Sequence, residues 1–358
     1  MTTHDLQCTM SEVVSLLPLE IRHRRASSLD CDCPMCHGRG KLNINLTKEV
    51  FRCNRCGVSG GMLALYANVF GVSNSEAYAE ICSILHRGKA PRVAPQPVPM
   101  AVPVTTIQQA PAPVIDQTLR TMLSLLPLAA THRDDLLRRG LNEGEIERYL
   151  FRSTPAFGAQ NLARKLLELG CTLEGVPGFY RKDGAWTMAC SPKASGYFVP
   201  VLSLTGLIQG CQIRLDRPFS KCKYIWFSSS EREGGTGSGS PVHVIGGPSK
   251  TVFVTEGPLK ATVAHCLSGH TFVAVAGAGQ YGALAPVLER LQTLGTQTVL
   301  EAYDMDKLQN ESVANGVQHF LTLAQDKGLK VRQLKWDPAY KGVDDFYLAR
   351  RNAQQIRG

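Results

Sequence analysis

Thr251-Val-Phe-Val-Thr255-Glu256-Gly257-Pro258 decides the reading of this chain, together with its counterpart Val299-Leu300-Glu301-Ala302-Tyr303-Asp304-Met305-Asp306. Each is a short β-branched run that ends on acid, with Gly and Pro after the first, and such runs read as buried strands. Leu259 to Leu267 between them reads as a helix and Thr271 to Ala276 as a further strand. Strands alternating with helices predict a parallel sheet, whose ligands sit at the carboxyl ends of the strands. Glu256, Asp304 and Asp306 stand at those ends. On an extended chain Asp304 and Asp306 point the same way. Carboxylates converging there repel one another unless a divalent cation sits among them.

Downstream, Gln309 to Lys327 is expected to be helical, Lys330 to Trp336 a strand, and Tyr347 to Gln355 a last helix. Asp344 and Asp345 add acid near that strand's carboxyl end. Upstream, residues 176–245 read as β structure. Tyr197 to Leu202 and Leu207 to Leu215 are the arms of a hairpin about Thr205-Gly206. Lys221-Cys-Lys223-Tyr224-Ile-Trp226 then interleaves aromatics with lysines, which suits single-stranded nucleic acid: rings stack on bases and lysines meet phosphates. From Arg181 to Lys223 seven basic residues face only Asp183 and Asp216. The bland alternative is a half-exposed strand whose rings face a core. Residues 115–170 read as four short helices, Leu119–Leu126, Arg133–Arg139, Asn142–Tyr149 and Asn161–Leu169.

The chain of 358 residues carries a net charge of +9, which fits a polyanionic partner without naming one. Met1 to Glu12 lacks the apolar core of a signal peptide and no uncharged apolar run reaches membrane length, so a cytoplasmic protein is expected.

Five of the 12 cysteines lie between Cys31 and Cys56. Two C-x-x-C knuckles, Cys33/Cys36 and Cys53/Cys56, flank a hairpin-forming segment, which is how a zinc ribbon is built. Four thiolates make a closed tetrahedral shell, so the Zn2+ is structural and supplies folding energy to a segment with little core. Cys31 and His37 are further donors that the spacing leaves open. Before the knuckles, residues 1–28 are expected to be helical, with Val13, Val14, Leu16, Leu17 and Ile21 on one face. After them come a helix Met62–Phe70 and a second one, started by a Ser73/Glu76 capping box and running to about His86. A Pro-rich stretch, 90–114, reads as a semi-extended linker.

The resulting plan is multidomain α+β. It comprises a zinc-ribbon DNA-binding domain over 1–89, the linker over 90–114, a basic α+β subdomain over 115–248, and an α/β domain with a parallel sheet over 249–358.

This order resembles the bacterial-type DNA primases, especially the shorter ones of phages and mobile elements. The resemblance rests on Cys33-Pro-Met-Cys36, Phe51-Arg-Cys53-Asn-Arg-Cys56-Gly57 with Gly60-Gly61, Arg139-Gly140-Leu141, Tyr197-Phe-Val-Pro200, Gly206 to Gly210 with Arg214, and Lys223-Tyr224 with Ser228-Ser229. Glu256-Gly257, Asp304-Met-Asp306 and Gly342-Val-Asp344 are similar to the three acidic motifs of the Toprim fold, with Lys260 and Gly277-Ala-Gly279 in the same domain. The replicative form has His where Cys36 stands, so that ligand is carried over by spacing, and Trp226 stands close to where the family has Asn.

The resemblance implies a primase core with catalytic Glu256, Asp304 and Asp306. It also implies Mg2+ or Mn2+ on Glu256, Asp304, Asp306 and Asp344, and template or nucleotide on Arg214, Lys221, Lys223, Tyr224, Trp226 and Lys260. The implied partners are single-stranded DNA, ribonucleoside triphosphates and a separate helicase or polymerase. With no Walker G-x-x-x-x-G-K-[ST] loop, unwinding by this chain alone is not expected. Three rivals use the same features: a Toprim nuclease, a topoisomerase, and a non-catalytic primase-like protein that recruits a partner.

Overall fold

The computed structural model describes residues 8–35, 38–54, 57–72, 74–85, 107–219, 222–230, 232–305 and 311–357. The chain divides into two compact units, Met1–Met100 and Ala101–Gly358.

In the first unit, helix α1 (Met10–Ser15) is followed by strands β1 (Ile21–Arg24), β2 (Ser28–Cys31), β3 (Leu42–Asn45), β4 (Val50–Cys53) and β5 (Ser59–Gly61), then helices α2 (Met62–Phe70) and α3 (Asn74–Ile84). The strands form one antiparallel sheet in chain order. Period-two alternation explains its two faces. The cross-strand rows Leu29–Ile44–Phe51 and Cys31–Leu42–Cys53 are buried, while Asn43 and Arg52 of the row between them are not. Met10, Val13 and Val14 of α1 and Leu65 of α2 share that core.

The expected helix over 1–28 is corrected. A capping box of Thr9 and Glu12 starts α1, but the helix closes at Leu16, two residues before Pro18, which cannot continue it. Ile21, expected on the helical apolar face, instead lies in β1 and is 38% exposed. The Ser73 cap and residues 86–106 lie outside the described residues.

The second unit opens with α4 (Ala112–Ser124), α5 (Ala130–Arg138), α6 (Glu143–Arg148), β6 (Arg152–Ser153) and α7 (Ala159–Glu168). A hairpin of β7 (Phe179–Lys182) and β8 (Ala185–Met188) follows, then β9 (Gly196–Leu202), β10 (Ile208–Phe219) and β11 (Cys222–Trp226). Strands β11-β10-β9-β6 make an antiparallel sheet. Residues 107–114, read as linker, are not one. The Ile107 amide bonds Gly235, the Ala110 amide bonds Gly175, and α4 starts at Ala112, with proline in its first turn, where a missing N–H costs nothing.

The remainder runs β12 (His243–Ile245), β13 (Thr251–Glu256), α8 (Pro258–Ser268), β14 (Phe272–Val275), α9 (Ala285–Thr293), β15 (Thr298–Glu301), α10 (Glu311–Asp326), β16 (Lys330–Gln333) and α11 (Val343–Arg357). The sheet order is β12-β14-β13-β15-β16. All pairs are parallel except the antiparallel edge pair β12–β14. The expected parallel sheet is present, and its edge strand comes from residues read as part of the preceding β segment. One face packs Val252, Val254, Val273 and Val299 against Leu288 and Phe320, and the other packs Phe253, Phe272 and Ala302 against Ala261 and Tyr347. This is why the strands read as continuous apolar runs.

His243 ties the two sheets together. It is fully buried; its Nδ1 accepts the Leu202 amide at 2.9 Å, so Nε2 carries the proton and donates to Thr262 Oγ1 at 3.1 Å. Burial, with a smaller push from His265, holds its pKa down at about 3. A histidine that stays neutral when folded but protonates when unfolded contributes stability above 6.5, and that contribution is lost as the pH falls toward about 3. Urea unfolding is therefore expected to weaken by about 1.4 kcal/mol per pH unit from this group as the pH drops below 6.5. In His243→Gln that slope should disappear; an unchanged slope would reject the assignment.

Candidate active-site cleft

The turn after β13 sets the site. Gly257 takes φ +85°, a conformation side chains rarely adopt, its amide bonds Val275, and Pro258 then begins α8. Helical side chains tilt toward the N-terminus, so Lys260, in the first turn, reaches back over the strand end. The chain after β15 brings in Asp304, 5% exposed, held where the Met305 amide bonds Lys341. Asp344 follows from the first turn of α11, which starts at Val343 rather than at the expected Tyr347. Acid in a first helical turn is favoured by the helix dipole. Gly342 is needed there: a Cβ at that position would lie 2.3 Å from Asp344 Oδ1 and 3.3 Å from Lys260 Cε. Gly342→Ala is expected to cost about 1–3 kcal/mol by overpacking and to weaken divalent-ion binding, read by urea melts and Mn2+ titration.

Glu256, Asp304, Asp344 and Asp345 line a cleft of about 540 Å³ with Arg139, Arg214, Lys223, Tyr224, Lys260 and Lys341. Sequence-predicted acids and bases from separate elements thus meet in one place. Lys223 and Tyr224 arrive on β11, and Arg214 is the cross-strand partner of Tyr224 on β10. Its guanidinium lies 5.6 Å from the Tyr224 ring centre, with Nη1 3.3 Å from the hydroxyl. Trp226 is half-buried further along β11 and does not line the cleft. Lys221, Asp306, Cys36, His37 and Cys56 lie outside the described residues.

Asp135 anchors the basic wall. Its Oδ2 accepts from Tyr197 Oη at 2.9 Å, Arg139 Nε at 3.1 Å and Arg214 Nε at 3.4 Å. Burial pushes this carboxyl up, but Arg139, Arg138 and Tyr197 outweigh it and hold it far below the carboxylate range. Arg139, Gln212, Lys341 and Asp345 were not singled out as site residues from sequence. For Arg139 the readable signal was the i,i+4 spacing from Asp135, a helix pairing distance. Lys341 sits directly before the Gly342-Val-Asp344 motif.

Lys260, expected among the template- or nucleotide-binding residues, faces the acids. Its ammonium bonds Asp304 Oδ1 and lies 3.9 Å from Glu256 Oε1. Burial lowers its pKa, but Asp304, Asp344 and Glu256 together raise it above the ordinary value. Burial, against the pull of Lys260, raises the Asp344 carboxyl to about 6. Asp344 Oδ1 is buried and has no hydrogen-bond partner.

Among the described residues no three His, Cys, Asp or Glu side chains form a cage that could hold a metal ion. Mg2+ does not require one, because it binds through one or two carboxylates with waters and substrate phosphates. The orphaned Asp344 oxygen, beside Asp304 and Glu256, fits that chemistry. In the first unit, Cys33 and Cys53 are buried in the core. The row Cys31–Leu42–Cys53 puts the ends of β2 and β4, and with them Cys33 and Cys53, at one end of the sheet. Cys31 is a strand residue within that core, where burial pushes its thiol up to about 11. No helix among the described residues is long and apolar enough to cross a membrane.

Residues 243–354 match a family model described as a domain of unknown function, DUF3854. No curated protein matches the chain. Solved structures do. The Aquifex aeolicus primase (zinc binding and RNA polymerase domains) is 15% identical with a TM-score of 0.50, over 98% of this chain and 82% of that one. The RNA polymerase domain of Mycobacterium tuberculosis primase DnaG is 16% identical with a TM-score of 0.50, over 68% of this chain and 82% of that one. The likeness is one of fold: this chain has a mixed α+β, primase-like architecture.

Proposed function

We propose that this chain is a DNA primase, synthesising short RNA primers on single-stranded DNA by divalent-metal-dependent nucleotidyl transfer in the replication of a phage or mobile element. One observation carries the reading: the acidic ends of a parallel sheet and a basic, aromatic strand line the same cleft. An acid cluster alone would serve many phosphoryl-transfer enzymes. An acid cluster opposite Arg139, Arg214 and Lys223 has a place for cation-bound triphosphate and another for backbone phosphates.

In this reading the C-terminal α/β part is a Toprim domain, whose Glu256, Asp304, Asp306 and Asp344 hold Mg2+ or Mn2+. When bound, that ion neutralises charge on the nucleotide's phosphates and on the oxygens that attack and leave. Glu256 serves as ligand or as base. Arg214, Lys221 and Lys223 hold phosphates of template or nucleotide, with Tyr224 and Trp226 offering rings to bases. Asp135 keeps Arg139 and Arg214 oriented. Cys33, Cys36, Cys53 and Cys56 hold a structural Zn2+, and that ribbon engages the single-stranded template. A separate helicase or polymerase would use the primer.

The test is incubation with single-stranded DNA, labelled ribonucleotides and Mg2+ or Mn2+. Labelled oligoribonucleotides are expected, with about one zinc per chain by metal analysis. Absence of product from the wild-type chain would overturn primer synthesis, and a nicked or degraded template would point to a nuclease.

A further inference from the structure

The acidic cluster already contains a cation. Glu256, Asp304 and Asp344 line the cleft from three different elements, and like charges in one cleft repel. Lys260 enters from a fourth, α8, and its ammonium bonds Asp304 Oδ1 and stands 3.9 Å from Glu256 Oε1. It is held there rather than merely passing by: its side chain is 18% exposed, against 62% for Lys341, which approaches Asp304 Oδ2 only to 4.0 Å. The absence of a side chain at Gly342 makes room for its Cε. The arrangement is also asymmetric. Asp304 Oδ1 is committed to the ammonium, whereas Asp344, 6% exposed, keeps Oδ1 without a partner.

We propose that Lys260 is a built-in cation of this site, holding the carboxylates together before metal arrives and taking the place of one divalent ion. The Lys260 ammonium offsets one of the carboxylate charges of the cleft, so fewer divalent ions are needed to offset the rest. Asp344 Oδ1 is the acceptor left open for that ion. The side chain at position 260 then sets how many ions the cluster loads and how tightly. This deepens the proposed function, since it rests on the cleft being a divalent-ion site.

The full chain is titrated with Mn2+ by calorimetry and electron paramagnetic resonance, without nucleotide, in resin-treated buffer that leaves the zinc in place. Wild type, Lys260→Gln, Lys260→Arg and Asp344→Asn are compared. Lys260→Gln is expected to bind an additional Mn2+ or to bind it about tenfold or more tightly. Without Mn2+ it should melt lower than wild type by about 3 °C or more, and Mn2+ should restore it. Lys260→Arg, which keeps the charge, should retain the wild-type ion count. Asp344→Asn should lose the wild-type ion.

Equal Mn2+ affinity and count in wild type and Lys260→Gln would overturn the proposal. So would an additional ion in Lys260→Arg, or a Lys260→Gln chain that stays unfolded in Mn2+. Primer synthesis is assayed on the same preparations. The expected Mn2+ pattern without primers rejects the primase reading but leaves the role of Lys260 standing. Primers with an unchanged Mn2+ pattern reject only the role of Lys260.

Discussion

Asp304→Asn is expected to lower oligoribonucleotide synthesis by about 10²–10³-fold, the usual loss when one preorganised charge-stabilising group is removed. The substitution keeps the shape of the side chain and removes its charge. Asp304 is 5% exposed and lies between two ammonium groups, bonded to Lys260 and 4.0 Å from Lys341. Asparagine leaves both cations short of a counter-charge and gives a divalent ion a poorer ligand. Asp326→Asn, at the exposed end of α10, is the control and should retain full activity. The measurement is labelled-ribonucleotide incorporation on single-stranded DNA, with a urea melt of each protein. An Asp304→Asn chain as active as wild type would remove Asp304 from the chemistry.

Asp135→Ala is expected to destabilise the second unit by about 2–3 kcal/mol, less than the cost of breaking a fully buried ion pair because the partners are only partly buried. A single carboxylate oxygen there accepts from Tyr197, Arg139 and Arg214. Without it the half-buried guanidiniums of Arg139 and Arg214 lose their shared partner, and both line the cleft. Weaker binding of single-stranded DNA should accompany the lower urea midpoint, with a shallower salt dependence if fewer phosphates are held. Asp135→Asn, which still accepts hydrogen bonds, should lose less. A change below about 1 kcal/mol in Asp135→Ala, the worth of an exposed pair, would show that the network does not anchor the basic wall.

Local physics made much of the architecture legible. The apolar runs at Thr251–Thr255 and Thr271–Ala276 could be read as strands because both faces of a parallel sheet are covered. Glu256 ends the first of them and Asp304 follows β15, as read. Where context outweighed local pattern, the reading missed. Residues 17–28 contain enough apolar spacing for a helix, but Pro18 ends α1 and the pairing of Ile21 with Cys31 draws the next segment into a sheet. Residues 107–114 have linker composition, but Gly175 and Gly235 provide backbone partners that order them.

The same division holds at the site. The sequence by itself determined which residues carry charge, that Glu256 and Asp304 follow apolar strands, and that a basic aromatic strand precedes them, because these are properties of neighbouring residues. Only the tertiary structure decided that Arg139 and Arg214 share Asp135, that Lys260 turns to Asp304 rather than to solvent, and that Asp344 keeps an unpartnered oxygen. Those outcomes depend on which long side chains meet once the strands, helices and their Gly257 and Gly342 turns are packed. Spacing along the chain carries no record of contacts between residues separated by as many as 211 positions, such as Gly140 and Arg351.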